Sequence, residues 1–69
     1  MSGTLRRKIL ENVGVYYEGL MAKAETNIAI YLENPAGIGE HSDVVEAIDC
    51  ELTKWVDAKE KLSAVSFWK

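Results

Sequence analysis

From Leu5 to Leu32 the apolar positions recur with helical spacing. Leu10, Val13, Tyr17, Leu20, Ala24, Ile28 and Tyr31 follow one another in steps of three and four, as the buried face of an α-helix does. Ile9, Tyr16, Met21 and Leu32 widen this seam on its flanks. At about 100° per residue the apolar arc covers roughly 160°. One neighbouring helix needs less, so this helix is expected to pack against two or more. Gly14 and Gly19 interrupt it at a cost of about 1 kcal/mol each relative to alanine, and they allow close helix approach.

The pattern stops at "NPAGIGEHSD", residues 34 to 43. The residue before a proline is disfavoured in the α region, and Pro35 cannot donate the next hydrogen bond. Gly37 and Gly39 supply positions where positive φ costs little. A second helix is expected to start at Ser42 or Asp43, both good N-caps, with Asp43 and Glu46 spaced as a capping box. Its apolar face is read as Val45, Ile48, Leu52, Trp55, Val56, Leu62 and Val65, with Glu46, Asp49, Thr53, Asp57 and Glu60 opposite. The expected elements are a first helix over about 4–33, a turn over 34–42 and a second helix over about 43–67.

Two long helices joined by a short turn make an antiparallel αα-hairpin. The fold class is therefore all-α, with one domain over 1–69. A chain of 69 residues builds only a marginal core on its own. One cysteine, Cys50, cannot form an internal disulfide, and one histidine with one cysteine makes a poor zinc site. Oligomerisation remains, and two hairpins pair naturally into a four-helix bundle. The expected partner is a second copy of the chain.

Charge sharpens this picture. The net charge is −3, which disfavours general nucleic-acid binding. Residues 33 to 51 carry Glu33, Glu40, Asp43, Glu46, Asp49 and Glu51 with no Lys or Arg, whereas Arg6, Arg7 and Lys8 crowd the start and Lys54, Lys59, Lys61 and Lys69 the end. Folded back, the hairpin is acidic at its turn and basic at its open end. No apolar run approaches the ~20 residues of a membrane span, and "MSGTLRRKIL" lacks the apolar stretch of a secretion signal. A single unpaired cysteine fits a reducing cytoplasm.

Several constellations invite a chemical reading. "GIGEH" follows a helix rather than a strand, and it lacks the Gly-Lys-Ser/Thr of a phosphate loop. A structural turn is the expectation. His41 with Glu40, Asp43 and Glu46 has metal-ligand chemistry, but a histidine beside surface acids is ordinarily solvated, so no metal and no cofactor are expected. Cys50 and His41 lie ~13 Å apart along a helix and cannot act as a pair. Cys50 is placed on the polar flank, among acids that discourage a thiolate. Glu46 and Asp49 have the spacing of acids in all-α nucleotide pyrophosphatases. Glu11, Glu18 and Glu25, seven apart, cannot converge on one ion to complete such a site. Asn27 falls within the seam, where a buried asparagine sets register. Folding about residue 37 or 38 brings Lys59 opposite Tyr16 and Tyr17, beside Trp55. This snorkelling lysine among aromatic rings is also the best candidate for an anionic or nucleotide-like ligand.

The block "NIAIYLENPAGIGEHSDVVEAID", followed by "DAKEKL" within residues 27 to 62, resembles small reading frames of tailed phages of marine bacteria. The resemblance implies a host-cytoplasmic or virion setting and carries no activity, cofactor or site residue. The function expected from the residues is non-enzymatic: an interaction or accessory protein acting as a helical-bundle homo-oligomer, with a further protein partner. The alternatives are a small-ligand sequestering protein using Tyr16, Tyr17, Trp55 and Lys59, and a nucleic-acid accessory using Arg6, Arg7 and Lys8.

Overall fold

The computed structural model describes residues 2–33 and 43–69. Two helices make up the described chain, α1 (Ser2–Glu33) and α2 (Val44–Val65). The expected turn, with His41 and its metal reading, lies outside the described residues. Asp43 is the N-cap of α2. Its backbone is extended, at φ −86° and ψ 108°, and its carboxylate accepts a hydrogen bond from the Glu46 N–H at 3.1 Å. One orphan donor of the first turn is thereby satisfied. At the other end the chain tightens. Phe67 N–H donates to Ala64 O and Trp68 N–H to Val65 O, both at 3.0 Å. These i→i+3 bonds close α2 at Val65, two residues before the end expected from the pattern.

The helices run antiparallel and in fixed register. Asn27 reaches Glu51, Glu25 reaches Trp55, and Gly14 lies beneath Leu62. The inward residues of α1 are Leu10, Gly14, Tyr17, Met21, Ala24, Ile28 and Tyr31, and those of α2 are Val44, Ile48, Glu51, Trp55, Ala58, Leu62 and Val65. Both series alternate steps of four and three, the mean period of 3.5 that keeps one seam facing one neighbour. Ala24 and Ala58 are almost fully enclosed, and their small side chains let the helices approach closely at the waist.

The packing seam is rotated from the one the apolar pattern suggests. Val45, Leu52 and Val56, expected inside, face outward, at 79%, 46% and 45% exposure, and so does Leu20 of α1. Glu51 and Ala58 take the central places instead. The cause is the width of the apolar arc. One neighbour covers only part of it, and the hairpin centres on the residues that allow closest approach. The most hydrophobic side chains are left on the flanks. Among the described residues no large side chain is fully buried.

The result is a rod of 56 × 15 × 14 Å. Its radius of gyration is 16.1 Å, against about 11 Å for a compact domain of this length. The chain exposes 5426 Å², whereas a folded monomer of this mass exposes about 4,300 Å².

The glycines make a direct test of the packing. A Cβ on Gly14 would meet Leu62 Cδ1 at an ordinary 3.5 Å, and one on Gly19 would meet nothing within 4 Å. Gly14→Ala and Gly19→Ala are each expected to stabilise the fold by about 0.5–1 kcal/mol through helix propensity alone. Urea denaturation at one protein concentration checks this. A loss of stability in Gly14→Ala would mean that the helices sit closer there than this geometry has them.

Candidate functional site

The chemically richest part of the hairpin is its waist. Glu51 is 6% exposed and is the only charged residue buried among the described ones. Asn27 Nδ2 donates to its Oε1 at 2.9 Å, and Lys54 Nζ donates to its Oε2 at 3.2 Å. No buried side-chain nitrogen or oxygen among the described residues lacks a partner. The Asn27 hydrogen bond holds the Glu51 carboxyl below its ordinary value of 4.5. Burial opposes this, while the hydrogen bond and charge of Lys54 and the charge of Lys23 add to it. The hydrogen bond outweighs the desolvation. One turn away, the Trp55 indole N–H donates to Glu25 Oε2 at 2.8 Å. Together these bonds clasp the two helices at the middle. Asn27 does here what a register residue needs to do. The buried acid that answers it carries no mark in the sequence, because Glu51 ends a run of acids that reads as solvated.

The aromatic-lysine quartet divides into two pairs. Lys59 Nζ stands 5.0 Å from the centre of the Trp55 ring, as a snorkelling lysine should. Tyr16 and Tyr17 pack edge-on with ring centres 5.5 Å apart, and the cation beside Tyr17 is Lys61, at 6.0 Å. Helix register brings position 61, not 59, level with the tyrosines. Lys61 in turn pairs with Asp57 at 3.0 Å. The hollow at Trp55 and Lys59 is walled by Val56, Glu60, Ser63, Ala64 and Phe67 and contains neither tyrosine.

At the open end Arg6 and Arg7 line a hollow of about 490 Å³ with Lys69, Gly3, Leu10 and Glu11, and Lys8 stands outside it. Glu11 sets a carboxylate in the wall of an otherwise cationic surface. Glu11, Glu18 and Glu25 follow the edge of the seam rather than its outer face, and Glu25 is committed to Trp55. Among the described residues no three of His, Cys, Asp and Glu come together as a metal site would require, and no helix is long and apolar enough to cross a membrane. Cys50 is exposed.

Two apolar flanks remain, one on each side of the seam. Ala29, Leu32, Leu52 and Trp55 form a hollow of about 380 Å³ on one side, with Ile28 and Glu25. On the other, Leu20 shares a hollow with Lys23, Lys54 and Asp57. Ile9, Tyr16 and Ile30, seven or fourteen residues apart, continue that second side and are exposed. No family model, curated protein or solved structure matches the chain.

Two expectations follow. Asn27→Leu leaves Glu51 buried without its main partner and should cost ~1–3 kcal/mol, while the double variant Asn27→Leu/Glu51→Leu should come within about 1 kcal/mol of the parent or exceed it. Because the fold lowers the Glu51 pKa, its contribution is complete above 4.5 and is lost as pH falls through the lower folded value. That acid-side loss should shrink in Asn27→Leu, as read by denaturant titration from pH 7 to pH 3. Separately, the Cys50 thiol should react with a disulfide reagent in the native state, and Cys50→Ser should change stability by no more than about 0.5 kcal/mol. Protection of the thiol until unfolding would contradict its exposed position.

Proposed function

We propose that this chain is a non-enzymatic interaction protein that works as a homodimer, two hairpins laid end to end in antiparallel fashion as a four-helix bundle. A further protein partner would dock on the assembled bundle. The observation that carries this reading is that no large side chain among the described residues is fully buried, while Leu5, Ile9, Leu32, Leu52 and Phe67 stand in water. The surplus exposure over a folded monomer of this mass is about 1,100 Å². A standard interface takes about 800 Å² from each partner. The surplus is therefore of the size that one such interface removes.

Orientation is argued from charge. Glu33, Asp43, Glu46 and Asp49 lie toward the turn end, and Arg6, Arg7, Lys8 and Lys69 toward the open end. Cations at the start of α1 also oppose the helix dipole. Antiparallel pairing lays each basic end beside the second copy's acidic end, and parallel pairing stacks like on like. Single exposed pairs contribute only about 0.2–1 kcal/mol. Several that change sign together set orientation, while apolar burial supplies the affinity.

The rival reading is a binding surface for an anionic partner at the open end, favoured by the Arg6, Arg7 and Lys69 hollow and weakened by Glu11 in its wall. The ligand-sequestering reading has less support, because Tyr16 and Tyr17 stand apart from the hollow of Trp55 and Lys59. Sedimentation equilibrium tests the proposal. A dimer is expected at micromolar concentration. It should weaken as salt rises and weaken further in the triple variant Arg6→Glu/Arg7→Glu/Lys8→Glu. A folded monomer at all concentrations would overturn it.

A further inference from the structure

The hairpin has two apolar flanks, and only one suits an antiparallel copy of itself. We propose that the dimer forms on the flank of Ala29, Leu32, Leu52, Trp55 and Val56, with the Phe67 end of each copy lying against the Leu32–Leu52 end of the other. This rests on the homodimer reading above and deepens it by naming the face and the register.

The first argument is continuity. The hollow at Ala29, Leu32 and Leu52 shares Trp55 with the next one along α2, which reaches through Val56 to Phe67. The two make one largely apolar track from the turn end to the open end, with Lys59, Glu60 and Ser63 along its edge. Phe67, at 88% exposure, is the most exposed large hydrophobic of the described chain. Turned end for end, the track meets itself. The Phe67 of one copy comes level with the Leu32 and Leu52 hollow of the other.

Charge then separates the two flanks. About a two-fold axis, residues at mid-length meet their like. On the opposite flank the mid-length charges at the surface are Lys23, Lys54 and Asp57 beside Leu20, with Lys61 on the row of Lys54, so three lysines stand against one acid that Lys61 already pairs. Lys54 is 68% exposed on its side chain and Lys61 54%, so a two-fold there opposes one surplus of lysines to another. On the proposed flank the mid-length charges are of both signs. Lys59 stands over Trp55, Glu60 lines the same hollow, and Glu18 lies seven residues before Glu25 on the edge of the other. A two-fold there brings together patches whose charges nearly cancel. Toward the ends, Lys8 falls on the row of Ala29 and Asp49 on the row of Val56, by seven-residue spacing. End-for-end pairing brings these together as well.

Paired substitutions on Cys50→Ser test the face. Leu52→Cys with Phe67→Cys places two thiols fifteen residues apart in the sequence, about 22 Å along the rod at roughly 1.5 Å per residue. A disulfide needs Cα atoms within about 7 Å, so any cross-link is between copies. Mild oxidation should give a covalent dimer in high yield. Ile9→Cys with Ile30→Cys, the matching pair on the lysine flank, should give little. In sedimentation, Leu52→Glu should weaken the dimer on the order of tenfold or more. Leu20→Glu, at a comparably exposed site on the other flank, should leave it within about twofold. A dimer that cross-links through positions 9 and 30, or that Leu20→Glu disrupts in place of Leu52→Glu, overturns the face and leaves the homodimer reading intact. Cross-linking of Phe67→Cys alone to its own copy means parallel pairing and overturns the register. A parent protein that is monomeric at every concentration overturns both readings.

Discussion

Two helices touch along a line, and a line of contact cannot enclose a large side chain. Everything else in this hairpin follows from that constraint. Apart from Val65 near the open end, the residues it shuts away from water are small or polar: Ala24 and Ala58 at the waist, with Glu51 beside them. The large ones, Met21, Ile28, Trp55 and Leu62, are only half-covered. Burial is the main favourable term in folding, and a rod 56 Å long with a 15 Å waist has too little of it inside. The missing burial must come from a second surface, and the outward apolar flanks are where it is available.

A seam of small and half-covered residues also specifies register weakly, because one heptad looks much like the next. The clasp at the waist answers this. A slip of one heptad toward the start of α1 would set Glu51 against Leu20 in place of Asn27, although Glu18 would then stand where Glu25 meets the Trp55 indole. Each unmet group costs more than the net value of the bond it loses. The polar contacts therefore add little to stability in the right register and subtract much in a wrong one. The ion pair from Lys54 contributes less to this, since its side chain is largely in water.

Much of the fold is legible in the sequence, and the exceptions share one cause. The two helices, the Asp43 cap, the exposure of Cys50 and the polar role of Asn27 all follow from spacing and side-chain chemistry. The rotation of the seam does not. Hydrophobic periodicity finds the centre of the apolar arc, which lies between the surface that faces the other helix and the surface that faces something else. Leu20, Val45, Leu52 and Val56 belong to the second surface. Averaging over both places them inside and leaves Ala58 and Glu51 unnoticed. The aromatic quartet fails for a related reason. A one-residue difference in where the hairpin folds shifts the opposite lysine by a full step. Lys61 then stands beside Tyr17 in place of Lys59, and the imagined cluster becomes two pairs.

The displaced residues are informative because they are displaced. An apolar side chain that the partner helix leaves uncovered at 45% exposure or more, as with Leu52 and Val56, is a cost in the isolated hairpin and a gain only in an assembly. The polar residues divide the remaining work by position along the rod. At mid-length the groups pair within the chain, Glu51 with Asn27 and Lys54, Glu25 with Trp55 and Asp57 with Lys61, and they hold one hairpin in register. Toward the ends the charges segregate by sign, acidic by the start of α2 and basic by the start of α1. Segregated charge repels itself within one hairpin, and it is compensated only when a second rod lies alongside in the opposite sense. Register is thus written into the middle of the chain, and orientation into its ends.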